Sequence, residues 1–253
     1  METIIFGDGP FGASIHEAMA EGGMPVRTLG RPSGGRHDPF ALGRPSIAIE
    51  ASRGGAVASN VAAALAAGCR RLVIATTGWD EDRAAVERAL VAGRAAAVVA
   101  PNFSLGAAVF GRIVDAATEL LATIDGFEPY IVEWHRREKA DRPSGTAGDL
   151  ARRVIARHPA KTRIAVDGEG RASPEVLEVA VVRAGSSPGM HLVGFDSAGE
   201  TIELRLTARN RNAYATGIVA AIAWLTRTSR APGLHEFDAV VDELLDSTLA
   251  ATA

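Results

Sequence analysis

Thr3-Ile4-Ile5-Phe6-Gly7-Asp8-Gly9-Pro10-Phe11-Gly12 opens on a short apolar run, and a helical pattern from Ala13 to Ala20 follows it. The run reads as a buried strand, and the glycines are spaced G-x-G-x-x-G. Between a strand and a helix each glycine has a physical task. Gly7 allows the tight turn, Gly9 lets a pyrophosphate approach the backbone, and Gly12 lets helix and strand pack closely. A plain glycine turn has the same letters, so the flanking strand and helix carry the dinucleotide reading.

Working outward, Pro25 to Leu29 reads as a second strand, after which an NAD-binding unit often places an acid on the ribose 2′-hydroxyl. This chain has Gly30-Arg31-Pro32 instead. Arg31 fits a 2′-phosphate, and hence NADPH, or it is a solvated charge in a Gly/Pro-rich loop. Strands are predicted at Ile47–Glu50, Arg71–Ala75 and Ala95–Ala100, alternating with helices at Gly55–Ala67 and Asp80–Val91 and a long one reaching about Ile124. That alternation implies a parallel sheet covered by helices on both faces. Its ligands bind beyond the carboxyl ends of the strands, where the Gly7–Gly12, Thr76-Thr77-Gly78 and Asn102-Phe103 turns fall.

After Thr123 the texture changes. Tyr130 to His135 reads as a strand, and a loop rich in cations, Arg136-Arg137-Glu138-Lys139-Ala140-Asp141-Arg142-Pro143, leads to Ser144-Gly145-Thr146. A helix from Thr146 to His158, stopped by Pro159, follows. Free N–H groups at such a helix N-terminus attract anions, so a small, doubly negative ligand suits this stretch. Glu178–Arg183, Met190–Phe195 and Thr201–Thr207 read as an antiparallel-leaning sheet, and helices at Tyr214–Leu225 and Phe237–Leu249 close the chain.

Composition excludes several classes of function. Lys and Arg number 27 against 30 Asp and Glu in 253 residues, so no overall positive field exists for nucleic acid or an anionic membrane. The basic patch Arg205–Arg211 reads as interface or solvated surface. Cys69 stands alone, which rules out an internal disulfide and fits a cytoplasmic protein. No signal-peptide pattern or apolar run of spanning length is present. The histidines show no metal-ligand spacing along the chain, so no metal site is expected. His191 reads equally as a strand histidine or a site residue.

Taken together, these residues resemble the dihydrodipicolinate reductase family, whose signature is E-x-H-H-x-x-K-x-D-x-P-S-G-T-A. The match runs through Glu133, His135, Lys139, Asp141, Pro143, Ser144, Gly145, Thr146 and Ala147. Ala75-Thr76-Thr77-Gly78 resembles the family's G-T-T-G, and Ala100-Pro101-Asn102-Phe103-Ser104 its A-P-N-F-S. Arg183-Ala184-Gly185 with Gly189-Met190-His191 resembles R-A-G followed by G-x-H, and Asn210-Arg211 with Tyr214–Gly217 resembles S-R-x-x-F-A-x-G.

The resemblance implies NAD(P)H-dependent reduction of 4-hydroxy-tetrahydrodipicolinate in diaminopimelate and lysine biosynthesis. It implies His135 and Lys139 as the proton-transferring residues, and Arg136, Ser144, Gly145, Thr146 and Thr77 on the substrate. Gly7, Asp8, Gly9, Pro10, Phe11, Gly12, Arg31, Ala75, Thr76, Thr77, Ala100, Pro101, Asn102 and Phe103 would serve the cofactor. The implied fold is α/β. A Rossmann-like dinucleotide domain (1–104 with 213–253) is joined to an α+β substrate and oligomerisation domain (105–212) whose open mixed sheet builds a homotetramer. Three departures stand out: Arg136 replaces the second histidine, Ala75 the first glycine of G-T-T-G, and Glu50-Ala51-Ser52 the usual D-F-[ST]. They leave open a relative that reduces another cyclic imine or enamine carboxylate, or one that binds nucleotide without catalysis.

Overall fold

The computed structural model describes residues 2–252 apart from Glu169 and Arg211, with backbone alone for Asn212 and 247–252. The Arg211 of the S-R-like block therefore lies outside the described residues. In chain order the elements are β1 (Thr3–Phe6), α1 (Pro10–Glu21), β2 (Val26–Leu29), α2 (Pro39–Leu42), β3 (Ile47–Glu50), α3 (Val57–Ala66), β4 (Arg71–Ile74), α4 (Arg83–Ala92) and β5 (Ala96–Val99). They continue as α5 (Leu105–Leu121), β6 (Glu128–His135), α6 (Gly145–Arg157), β7 (Arg163–Val166), β8 (Val176–Arg183), β9 (Met190–Asp196) and β10 (Thr201–Thr207). The chain closes with α7 (Asn212–Arg227), β11 (Gly233–Glu236) and α8 (Phe237–Thr252). It divides into two units, Met1–Leu105 with Arg211–Ala253, and Gly106–Asn210.

The first unit is a six-stranded, wholly parallel sheet in the order β11-β5-β4-β3-β1-β2. Strands β1, β3 and β5 are buried at every position, as an apolar run covered on both faces must be. Val57, Val61, Val86 and Leu90 of α3 and α4 pack with Ile4, Phe6, Leu72 and Ile74 of the sheet. The order reverses between β1 and β3, and a sheet of this kind takes its ligand at such a switch point. Helix α7 packs against α1, β4 and β5, and the backbones come close. A Cβ on Gly217 would lie 1.7 Å from the Phe103 carbonyl oxygen.

The second unit is a five-stranded sheet, β10-β9-β6-β8-β7. It is mixed: β8 runs parallel to β6 and β7, while β9 runs antiparallel to β6 and β10. Alternation sorts its residues by face. Ile131, Val179, Val181, Val193 and Phe195 turn inward onto Phe110, Val114, Leu150 and Val154 of α5 and α6. Trp134 and Val182 turn outward and are exposed, beside partly covered Val132 and Leu192.

The expected Rossmann-like sheet and mixed second sheet are both present. Sequence reading passes over β7 and β11. Both are four-residue strands, and neither alternates: β7 has two exposed and two half-buried residues, and β11 holds a glycine, a histidine and a glutamate. Helices expected from Gly55 and Asp80 start later, each behind a 3-10 turn. No helix among the described residues is long and apolar enough to cross a membrane.

Gly217→Ala places a methyl group on the Phe103 carbonyl. Overpacking of this kind costs about 1–3 kcal/mol. Calorimetry should show the melting midpoint falling by roughly 2–4 °C for each kcal/mol lost. An unchanged midpoint would contradict the close α7 packing.

Candidate active site

At the strand ends of the first unit, Gly7 has φ +116°, and a Cβ there would lie 2.4 Å from the Ala51 carbonyl oxygen. A Cβ on Gly12 would meet the Gly7 carbonyl at 1.9 Å, whereas one on Gly9 would meet nothing within 4 Å. The outer glycines are therefore packing constraints, and the middle one borders open space at the N-terminus of α1, which begins at Pro10. That is a cradle a side chain would fill, and it fits a pyrophosphate. The Gly7 N–H donates to the Leu29 carbonyl, which ties the loop to the end of β2 where exposed Arg31 stands. Asp8 lies against Gly30, where a Cβ would sit 2.6 Å from its Oδ2. Phe11 meets Tyr214 of α7 edge-on.

The other expected cofactor residues divide. Pro101 and Thr77 are exposed and Asn102 and Ala75 half-buried, but Thr76, Ala100 and Phe103 are buried. The Thr76 hydroxyl donates to Glu50 Oε1 at 3.1 Å, so its side chain serves the interior. Phe103 packs on the Phe237 ring. The sequence reading assigns Glu50 no role. It is a buried carboxylate that also accepts from the Ser52 hydroxyl and N–H and from Asn60 Nδ2, joining the ends of β3 and β4 to α3. Burial raises its carboxyl, and those hydrogen bonds pull the other way.

In the second unit the signature loop is organised by Glu133. Its Oε1 accepts the Ser144 N–H at 2.9 Å and the Arg183 guanidinium at 2.7 Å. Arg183 also donates to the carbonyls of Lys139 and Asp141, so one side chain from β8 holds the middle of the loop. Ser144 caps α6, its hydroxyl accepting from the Ala147 N–H at 3.1 Å, a cap that aligns the helix end. Gly145 is exposed, and nothing lies within 4 Å of where its Cβ would be. Thr146 is half-buried beside it. Lys139 pairs with Asp141 at 2.7 Å, and Arg136 is exposed.

His135 ends β6 with its ring buried, and His191 on β9 meets it edge-on with ring centres 5.1 Å apart. Gly189 makes room for that ring, since a Cβ there would lie 2.8 Å from His135 Cε1. The G-x-H block thus contributes a space and an imidazole to one cluster. Burial alone would raise the Glu133 carboxyl. Interactions with His191, Ser144 and Arg183 outweigh it and hold the group well below the usual carboxylate range. Burial, then the charge of His191, pushes His135 down to about 4, leaving the ring neutral at pH 7.

The structure thus gathers His135, Ser144, Gly145 and Thr146, and stations Lys139 and Arg136 on the same loop. Sequence reading misses the pairing of Glu133 with Arg183 and the place of His191. It also expects no metal site, having considered spacing along the chain. Across β6 and β9, however, Glu133, His135 and His191 bring three donor atoms within 4.8 Å of one another.

A Rossmann-like parallel sheet with a glycine-rich loop at its strand ends, carried in one chain with a mixed-sheet unit that bears a capped helix N-terminus and two imidazoles, defines a two-unit α/β protein of the dinucleotide-fold class. Residues 106–241 match the family described as dihydrodipicolinate reductase, C-terminus. The 4-hydroxy-tetrahydrodipicolinate reductase of Methanococcoides burtonii is 37% identical over 173 residues, which are 67% of this chain and 63% of that protein, less than two thirds of its length. The Methanosarcina barkeri protein of the same name is 35% identical over 201 residues, 78% of this chain and 73% of that one. The fold is also that of a dipicolinate-bound dihydrodipicolinate reductase from Paenisporosarcina sp. TG-14, with a TM-score of 0.71 at 20% identity over 93% of this chain and 97% of that one. The chain belongs to the dihydrodipicolinate reductase family.

Removing the cation from a buried pair costs about 3–5 kcal/mol, because the partner charge stays behind. Arg183→Ala should therefore lower chemical-denaturation stability by about that much, and a loss below about 1 kcal/mol would contradict the role given to Glu133.

Proposed function

We propose that this chain reduces 4-hydroxy-tetrahydrodipicolinate, by way of dihydrodipicolinate, to tetrahydrodipicolinate with NAD(P)H, in the cytoplasmic synthesis of diaminopimelate and lysine. One observation carries the reading: in a member of this family, the capped N-terminus of α6 opens beside the loop that carries His135 and Lys139. Gly145 and Thr146 present backbone N–H groups that no helix turn uses, and the helix dipole adds attraction, so one carboxylate of a dicarboxylate is held there. Arg136 supplies a permanent charge and a planar donor fork for the second. The nicotinamide cofactor supplies the hydride when bound. Negative charge then develops on the conjugated imine, where Lys139 supplies the cation and the proton and His135, neutral at pH 7, accepts and relays a proton. Glu133 and Arg183 position these groups without touching substrate.

NADPH is the favoured cofactor, because β2 ends without an acid and with exposed Arg31. A homotetramer is supported by the outward face of the second sheet, where exposed Trp134 and Val182 flank Val132 and Leu192. A monomer by light scattering would remove that part of the proposal. Arg136 favours a second reading, in which the substrate is another cyclic imine or enamine carboxylate whose second anionic group matches a guanidinium.

The test supplies substrate in place from the preceding synthase step and follows NAD(P)H absorbance. Turnover is expected, with Lys139→Ala and His135→Ala each losing about 100-fold or more while circular dichroism stays unchanged. Cofactor binding without turnover on this substrate would overturn the reading, and turnover on a related imine alone would favour the second. Arg31→Ala should weaken NADPH about tenfold, about 1.4 kcal/mol, and leave NADH unchanged. Equal effects on both cofactors would exclude a 2′-phosphate contact.

A further inference from the structure

Glu133 and His135 lie two residues apart on β6, so both side chains point to its inner face, and His191 stands opposite Glu133 on β9. Each brings one donor atom into a common cluster. His135 Nε2 lies 3.4 Å from Glu133 Oε2 and 3.4 Å from His191 Nε2, and the third side, His191 Nε2 to Glu133 Oε2, is 3.7 Å. Glu133 is fully buried, and its Oε2 has no hydrogen-bond partner, although Oε1 has two. A buried carboxylate oxygen without a hydrogen-bond partner is costly. Beside it the two imidazole nitrogens share one long hydrogen bond, and His191 Nε2 also meets the Ser144 hydroxyl.

We propose that Glu133, His135 and His191 form a binding site for a divalent transition-metal ion, with zinc the best fit. Imidazole and carboxylate bond to zinc at about 2.0–2.2 Å, so the donors of a tetrahedral site stand about 3.3–3.6 Å apart. Cis donors of an octahedral site at those bond lengths would be only about 2.8–3.1 Å apart. The sides of the triangle on β6 and β9 lie at and just above the tetrahedral range and are too long for magnesium, and its nitrogen content disfavours both magnesium and calcium. Three protein ligands leave the fourth position to water or to Ser144, whose Oγ lies 3.1 Å from His191 Nε2. The strand register sets Glu133 opposite His191, and Gly189 seats the His135 ring, so the donors are in place before the ion arrives. Arg183, a cation on the other oxygen of the same carboxylate, opposes the ion and makes it exchangeable.

Binding stands on this geometry alone. Its consequence rests on the role proposed for His135: an ion on Nε2 takes the lone pair that would carry a proton, so occupancy silences reduction.

Cobalt(II) is the probe, because four-coordinate cobalt absorbs strongly in the visible and six-coordinate cobalt weakly. Titration of the whole protein should give the intense spectrum at one ion per chain, bleached by zinc. His191→Ala, checked for folding by circular dichroism, should weaken binding by more than the about 10–100-fold that loss of an outer partner costs. Glu133→Gln, if it folds, should do the same. Absence of the intense spectrum at saturating cobalt, or equal binding by His191→Ala, would overturn the proposal. Zinc inhibition of turnover is read separately. Binding that leaves turnover intact upholds the site and counts instead against His135 in the reaction.

Discussion

A buried carboxylate accepts a backbone N–H and a guanidinium on one oxygen, and the loop between β6 and α6 depends on that arrangement. Glu133 is fully buried, yet ionised, because its interactions with His191, Ser144 and Arg183 outweigh burial. The Ser144 N–H fixes where α6 begins, and with it the direction of the free N–H groups that follow. The same Arg183 reaches the carbonyls of Lys139 and Asp141, so the loop is held from β8 as well as from its own strand. Backbone bonds from Arg136 to Ser187 and from Arg137 to Gly185 hold the start of the loop, and this anchor holds its middle and end.

Sheet architecture makes the anchor possible. Period-two alternation sends Glu133 and His135 inward while Trp134 between them points out. The inner face thus carries the polar cluster at the strand end and an apolar core further along. The outer face of the same strand exposes the Trp134 ring. In the first unit a similar economy holds. Gly7 and Gly12 are required by backbone contacts, and only Gly9 borders the space a ligand needs.

Much of this was legible from the chain alone because the features are local. A glycine spacing between a strand and a helix, a run of alternating residues and a Ser-Gly-Thr helix start each lie within a few residues. β1, β3 and β10 fall on the expected residues. What escaped is what sheet pairing creates. His191 is 56 residues from His135 and meets it only through the β6–β9 register, so no linear spacing could present the pair as neighbours. β7 and β11 are short strands recruited by the strands beside them, and their own sequences carry no periodicity to betray them. Thr76 matches the family motif by letter, and its side chain is engaged inward by Glu50, a residue outside the motif.

The central claim is that the N-terminus of α6, set by Glu133 and Ser144, receives a carboxylate of a small cyclic dicarboxylate. Amide NMR during titration with pyridine-2,6-dicarboxylate in the presence of NADPH tests it most directly. The account predicts saturable binding at one ligand per chain, with the largest shifts at the Gly145 and Thr146 amides. Shifts confined to other residues, or no saturable binding, would contradict it.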